Sequence, residues 1–383
     1  MAGKPDVVIV GAGVMGCSAA YWLSKEGYKV LLLEKEAIAS GASGMASAHW
    51  RKALEDGRLS ELAWLGFQLH QELASVLPQE SGIDIGYREQ PIIYPAFSPE
   101  EVESLKSQLP ALRRYDPSAR WLEGQALWEV EPRLNRDVSG GLVGQGAQVM
   151  AYRFVLALVQ AAERRGVELR HGEVVGLQSN NGRVTGVQLR DGEIIAAETV
   201  VLAMGPWSQR ASAWLGLKIP VYPARGQLLE LLVPDPQLGA TLSHNGMYLV
   251  HKADGITLAG TTYEPDSGFA NHPTPAGLEA IINATVRMAP SLEDAQVRDH
   301  TSGLRPASDD SLPLIGSIPG WQGVYMVSGH DRKGMGLSLI STRIIADLIT
   351  RGRSPVLIEM FDPARFGPTE FFTGHFSPPA PAG

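Results

Sequence analysis

The chain is poor in the features that mark several large protein classes. Among 383 residues there is one cysteine, Cys17, so neither an intramolecular disulfide nor a cysteine metal cluster can form. No apolar run reaches the roughly 18 residues of a membrane-spanning helix. The first strand is expected within a few residues of Met1, so no signal peptide is expected. A cytoplasmic location is therefore expected, with peripheral membrane contact left open. Basic residues are outnumbered, 33 Lys and Arg against 41 Asp and Glu. The net charge of −8 argues against nucleic acid as a general partner. There is no Ser-His-Asp pattern, no zinc motif and no internal repeat. What remains, 44% hydrophobic and 19% charged, is ordinary for a globular enzyme of one large or two intimately joined domains.

The most informative stretch that is present runs from Val7 to Gly16. Val7-Val8-Ile9-Val10 reads as a buried parallel strand. Gly11, Gly13 and Gly16 then make a tight turn, let backbone approach a pyrophosphate and let a helix pack on the strand. Cys17 to Lys25 reads as that helix, with the positive end of its macrodipole toward a phosphate. Lys29 to Leu33 is a second strand. Glu34 at its end can accept hydrogen bonds from both ribose hydroxyls of an adenosine and would repel a 2′-phosphate. Together these predict a bound adenine dinucleotide.

Next comes a run of small residues, Ser40 to Ala48, suited to close approach of backbone to a flat ring. Leu59, Leu62, Leu65, Leu69, Leu73 and Leu77 carry a helical period over 58–77. Surface helices are expected at 98–109 and 122–130. A second α/β block follows from about Tyr152, with a helix over 154–162. Strands are expected at 167–170 and 182–189, and at 198–205, where a buried strand ends in a glycine turn. Residues 226–233, 246–251 and 255–262 read as strands of a mainly antiparallel sheet, with a helix at 275–289. Residues 323–329 return as a strand and glycine turn before a helix from about Met335 to Thr350. The tail beyond Pro363 is rich in Pro, Gly and Phe.

Two further elements decide the family: Gly303-Leu304-Arg305-Pro306 with Leu312 to Gly316, and Gly329-His330-Asp331-Arg332-Lys333-Gly334. With the N-terminal unit, the small-residue run and Thr199 to Ser208, they give a chain that resembles the FAD-dependent D-amino-acid oxidase superfamily. Its closest likeness is to the glycine oxidase and sarcosine oxidase-like branch. The resemblance implies an α/β fold, α+β overall. An FAD-binding domain with a Rossmann-like parallel sheet would join a substrate domain with a large antiparallel sheet and helices. Residues 1–85, 140–220 and 300–365 would form the first domain and 86–139 and 221–299 the second, with 366–383 an irregular tail.

The resemblance also implies site residues. Arg305 would grip the substrate carboxylate, which a guanidinium meets with two parallel charged hydrogen bonds. Tyr248 would line the pocket and bond the same carboxylate. Arg332 would approach flavin and substrate, or else be an exposed loop cation, with Lys333 as its stand-in. His49 and Arg51 depart from the glycine oxidase pattern, which favours small or apolar residues there. They could lie at the flavin edge, as basic residues do in sarcosine oxidase-like enzymes, or on the surface at the start of the next helix. Cofactor contacts are expected from Lys35 beside Glu34, from Ser43, Ala46 and Ser47, and from Val174. Gly205 and Trp207 would add to them, as would Gly329, His330, Lys333, Gly334 and Met335. No cysteine lies near 300–335 and Cys17 lies far from the flavin ring, so FAD is expected to be non-covalent, with no metal.

The implied reaction is oxidation of a small amino acid or secondary amine of the glycine, sarcosine or D-amino acid type. A hydride passes from the α-carbon to flavin N5, the imine hydrolyses, and oxygen becomes hydrogen peroxide. The protein supplies orientation and electrostatics and needs no strong base. A dehydrogenase of the same fold, passing electrons to a quinone or other acceptor, is the alternative. The C-terminal motifs argue against an NAD-dependent dehydrogenase, and the charge argues against an RNA-modifying relative. Assembly as a homo-oligomer is left open.

Overall fold

The computed structural model describes residues 4–54, 57–235, 237–354 and 356–367. Its first sheet has six strands, in the order Leu314–Ser317, Val324–Ser328, Val200–Leu202, Val7–Val10, Val30–Glu34 and Glu168–His171. All neighbours are parallel except the first pair. Val7–Val10 is central, and all four of its side chains are buried. Strand alternation divides them between two cores. Val7 and Ile9 enter a core built with the helices Val14–Lys25, Gly57–Ser81, Ala151–Glu163 and Gly334–Arg351. Val8 and Val10 enter the opposite one, beneath a three-stranded sheet of Val174–Asn180, Arg183–Leu189 and Ile194–Ala196.

The second sheet is almost wholly antiparallel. Its order is Gln296–Ser308, Val221–Leu232, Ile256–Gly260, Met247–His251, Thr241–His244, Arg88–Ala96, Gly140–Gln148 and His49–Arg51. Arg120–Leu122 also pairs with Gly140–Gln148. The period of two gives this sheet two different faces. Leu229, Leu249 and Ile93 enter a core shared with the helix Pro275–Met288. Their neighbours Leu228, Tyr248, Ile92 and Tyr94 face a cleft between the two sheets.

The expected helices at 58–77, 98–109, 122–130, 154–162, 275–289 and 335–350 correspond to Gly57–Ser81, Pro99–Leu112, Gly124–Val130, Ala151–Glu163, Pro275–Met288 and Gly334–Arg351. Sheet membership runs differently from the expected division at 1–85, 140–220 and 300–365. His49–Arg51, Gly140–Gln148 and the end of Gln296–Ser308 all belong to the antiparallel sheet. Of the two alternatives for His49 and Arg51, the first of these strands sets aside the start of a helix. Pro91 and Pro95 hide the strand Arg88–Ala96 in the sequence, and Gly140, Gly141, Gly144 and Gly146 hide its partner. From residue 368 the expected irregular tail lies outside the described residues. Among them no helix is long and apolar enough to cross a membrane.

Candidate active site

The cleft has a volume of about 900 Å³ and opens at the carboxyl ends of Val7–Val10 and Val200–Leu202. Val7–Val10 has Val30–Glu34 on one side and Val200–Leu202 on the other, so the strand order reverses there, where open α/β sheets bind ligands. Gly11 turns the chain with φ +104°, and a Cβ on it would stand 2.5 Å from the Ala203 carbonyl oxygen. A Cβ on Gly16 would be 1.8 Å from the Gly11 carbonyl oxygen, so only glycine lets the helix Val14–Lys25 sit this close to the strand. Gly11 and Gly13 line the cleft, and Gly16 stands behind them.

The dinucleotide end is set by hydrogen bonds. Ala12 N–H donates to Glu34 Oε2 at 2.7 Å, and Glu36 N–H donates to Oε1 at 2.9 Å. These pin the carboxylate while each oxygen keeps acceptor capacity for a ribose hydroxyl. Val14 N–H donates to Ser43 Oγ at 2.9 Å, tying the small-residue run to the start of the helix, whose first turn carries no acidic residue. Lys35 Nζ lies 4.1 Å from the Trp207 ring centroid. Val174 and Gly205 line the cleft nearby, with Ala46 and Ser47 along the small-residue run. A second helix start, Gly334 with Met335, also faces the cleft, preceded by His330 and Lys333. Gly329 does not line it and packs against Leu314 and Ser308 instead. Trp50 Nε1 and His330 Nδ1 are buried polar atoms without a hydrogen-bond partner among the described residues, on side chains that line the cleft. An acceptor pinned at the ribose end, two helix N-termini facing the cleft, the first with no acidic residue in its first turn, and unpaired nitrogens further along fit FAD.

At the other end Arg305 and Tyr248 come together. Arg305 Nη2 donates to Thr261 Oγ1 at 2.5 Å and Nη1 to the Thr262 carbonyl at 3.2 Å. Burial lowers its pKa, yet a guanidinium stays charged. Arg305 faces Gly226 across the paired strands, where any Cβ would overlap the guanidinium at 2.0–2.3 Å. Burial raises the Tyr248 phenol, against the lowering pull of Ser47, Arg305 and Arg332, so the phenol remains a donor. The His49 and Tyr248 rings meet edge to face at 4.6 Å, and His49 Nδ1 lies 2.9 Å from Ser47 Oγ. Burial and the nearby Lys252 push His49 down to about 3, which keeps its imidazole neutral. Arg51 lines the cleft with its guanidinium 4.6 Å from the Tyr94 ring centroid. Arg332 is exposed at the rim, 4.6 Å from the Tyr263 ring centroid.

Sequence reasoning missed the residues that hold this end in place. Thr261, Thr262 and Gly226 carry no motif and are brought to Arg305 only by strand register. Lys252 is buried and donates from Nζ to the carbonyls of Ser47 (2.8 Å) and Val149 (2.7 Å). Burial pushes it down to about 7. Its one signal in the sequence is a lysine directly after the strand Met247–His251.

Comparison with known proteins agrees with this geometry. The DAO family model, described as FAD dependent oxidoreductase, matches residues 6–348. The chain is 34% identical over 361 residues to the glycine oxidase of Geobacillus kaustophilus (strain HTA426), covering 92% of this chain and 94% of that one. It is also 34% identical over 379 residues to the bifunctional protein ThiO/ThiG of a Nostoc species. That match takes in 94% of this chain, which spans 55% of the length of the Nostoc protein. The crystal structure of glycine oxidase from Geobacillus kaustophilus superposes with a TM-score of 0.86 at 30% identity, covering 94% of this chain and 99% of that one. A dinucleotide cleft closed by a tethered arginine, on a chain matched over nearly its whole length, leads to one conclusion: this protein belongs to the DAO family of FAD-dependent oxidoreductases.

Proposed function

We propose that the chain oxidises a small α-amino acid or N-alkyl amino acid, of the glycine, sarcosine or D-amino acid type, at the carbon bearing the amine. The observation that supports this best is the half-buried Arg305 guanidinium, tethered by Thr261 and Thr262 beside Tyr248, in the same cleft as Glu34. Glu34, the Ser43-tied start of the helix Val14–Lys25 and the start of the helix Gly334–Arg351 would hold FAD without a covalent bond, and the cofactor when bound would supply two-electron redox chemistry, with oxygen as the expected acceptor. The side chains present bind and orient. Arg305 takes a planar carboxylate in a fork, and the Tyr248 phenol donates to it. Neutral His49 places no further positive charge beside the amine. The start of the helix Gly334–Arg351 favours negative charge placed against it. The lone cysteine takes no part: Cys17 is fully buried and donates its thiol to the Ala12 carbonyl.

A purified sample is expected to be yellow and to release intact FAD on acid precipitation. Colour retained in the pellet would contradict non-covalent binding. Glu34→Ala is expected to weaken FAD binding by about 1.5–3 kcal/mol, or roughly 10- to 150-fold. Turnover at saturating FAD should change little, because a ribose contact is made equally in ground and transition states. Equal FAD affinity in variant and parent would remove Glu34 from the ribose site. The function itself is tested by a peroxide-release screen over glycine, sarcosine, D- and L-amino acids, proline and simple amines, run beside dye reduction. Peroxide from small amino acids supports the oxidase. Dye reduction without peroxide would make it a dehydrogenase, and turnover of simple amines alone would sink the carboxylate-binding reading.

A further inference from the structure

Asp331 is a cleft-lining carboxylate whose chemistry the proposed reaction leaves unused. It lies between His330 and Arg332, lines the cleft, and holds a left-handed backbone with φ +47°. Its Oδ1 is buried and has no hydrogen-bond partner among the described residues. Two guanidiniums are close by, yet each is directed elsewhere. Arg305 is tied to Thr261 and Thr262, and Arg332 lies over the Tyr263 ring. Asp331 lines the same cleft as Arg305, and its charge reaches both Arg305 and the Tyr263 phenol.

The other carboxylates lining the cleft are engaged. Glu34 is pinned by Ala12 and Glu36, and Glu36 pairs with Lys35. Glu173 pairs with Arg190 and Arg210. Glu101 Oε1 lies 2.9 Å from His244 Nε2 while its Oε2 accepts from Phe97 N–H, and Glu100 is exposed and bonded to Ser98.

An α-amino acid arrives with both charges, and its two ends make opposite demands. A site with Arg305, Arg332 and Lys333 alone would attract the carboxylate and repel the ammonium. An unpaired carboxylate oxygen in an enclosed site is costly until a donor reaches it. We propose that Asp331 accepts hydrogen bonds from the substrate's amino group, opposite the carboxylate grip of Arg305. It is thereby a specificity-determining residue that selects amino acids over plain carboxylic acids. The assignment rests on the amino-acid reading given above.

Asp331→Asn is the informative change, because asparagine adopts the left-handed conformation as readily as aspartate and keeps the shape. Two probes separate the ends of the substrate. Anaerobic stopped-flow reduction of the flavin by glycine gives a Kd and a limiting rate. Perturbation of the flavin spectrum by acetate gives the Kd for a carboxylate with no amine. In Asp331→Asn the glycine Kd is expected to rise at least about tenfold, the effect of losing a charged hydrogen bond. Acetate should bind equally well or more tightly, since a nearby negative charge has gone. Opposite movement of the two constants is not the mark of a loosened fold. A glycine Kd unchanged in the variant, or both constants weakened in parallel, would overturn the role of Asp331 and leave the amino-acid reading standing. Parent enzyme whose flavin glycine does not reduce, and whose spectrum acetate does not perturb, would overturn that reading and Asp331's role with it.

Discussion

Arg305→Leu should lower kcat/KM for small amino acids by about 30-fold to several thousand-fold, the cost of roughly 2–5 kcal/mol for removing the partner of a desolvated charge. The guanidinium is half-buried and bonded to Thr261 and Thr262, so its geometry is fixed before substrate arrives. Little of its binding energy is therefore lost in ordering a flexible side chain. Leucine leaves the substrate carboxylate without a fork and removes the Arg305 donor from Thr261 Oγ1 and from the Thr262 carbonyl. Arg305→Lys should recover only part of the loss, because an ammonium is a point charge and cannot make two parallel bonds. FAD content and the visible spectrum should match the parent, since Glu34 and the helix Val14–Lys25 lie at the other end of the cleft. A preference for acids over amines that survives in Arg305→Leu but vanishes in Arg51→Leu would move the carboxylate to Arg51.

Gly226→Ala should have an effect nearly as large, although alanine is the smallest change available. The added methyl would lie 2.0 Å from Nη2, 2.1 Å from Nη1 and 2.3 Å from Cζ of Arg305. These are overlaps, so the guanidinium must move by an ångström or more. A displacement of that size at a binding group costs on the order of 10²-fold in rate. Folding should be spared, because the atoms in the way belong to the far end of a flexible side chain, while the backbone of Val221–Leu232 stays paired with Gln296–Ser308. The check is kcat/KM for glycine alongside FAD content and Tm. Full activity in Gly226→Ala would show that the position of Arg305 in the cleft does not govern turnover. Combined with Arg305→Leu it should add little, since both changes remove one interaction.

Much of the fold was legible in the sequence where its cause is local. Val7–Val10, Gly11, Gly16 and Glu34 lie within one short βαβ unit, so spacing alone brings them together. Arg305 and Arg332 came from short motifs of the resembling family, and the cleft holds both. The surroundings of Arg305 were not legible, because they are produced by register between distant strands. Gly226, Thr261 and Thr262 meet Arg305 only once Val221–Leu232 pairs with Ile256–Gly260 on one side and Gln296–Ser308 on the other. The strands Arg88–Ala96 and Gly140–Gln148 were hidden for a different reason. Their prolines and glycines are weak strand formers, and packing overrides that preference. Gly146 illustrates it, since a Cβ there would run into Ile92 at 2.3 Å. Asp331 was read only as part of a glycine-flanked turn, and nothing local to it signals that its carboxylate oxygen ends up buried and unpaired.

The central claim is that the cleft recognises an amino acid through its carboxylate and delivers the adjacent carbon to FAD. The most direct measurement is anaerobic reduction of the bound flavin by glycine and by methylamine, which differ only in the carboxylate. Rapid bleaching by glycine, with methylamine slower by about 30-fold or more, is the expected result. Equal bleaching by the two would contradict the claim, make Arg305 a structural residue and turn the enzyme into an oxidase of simple amines.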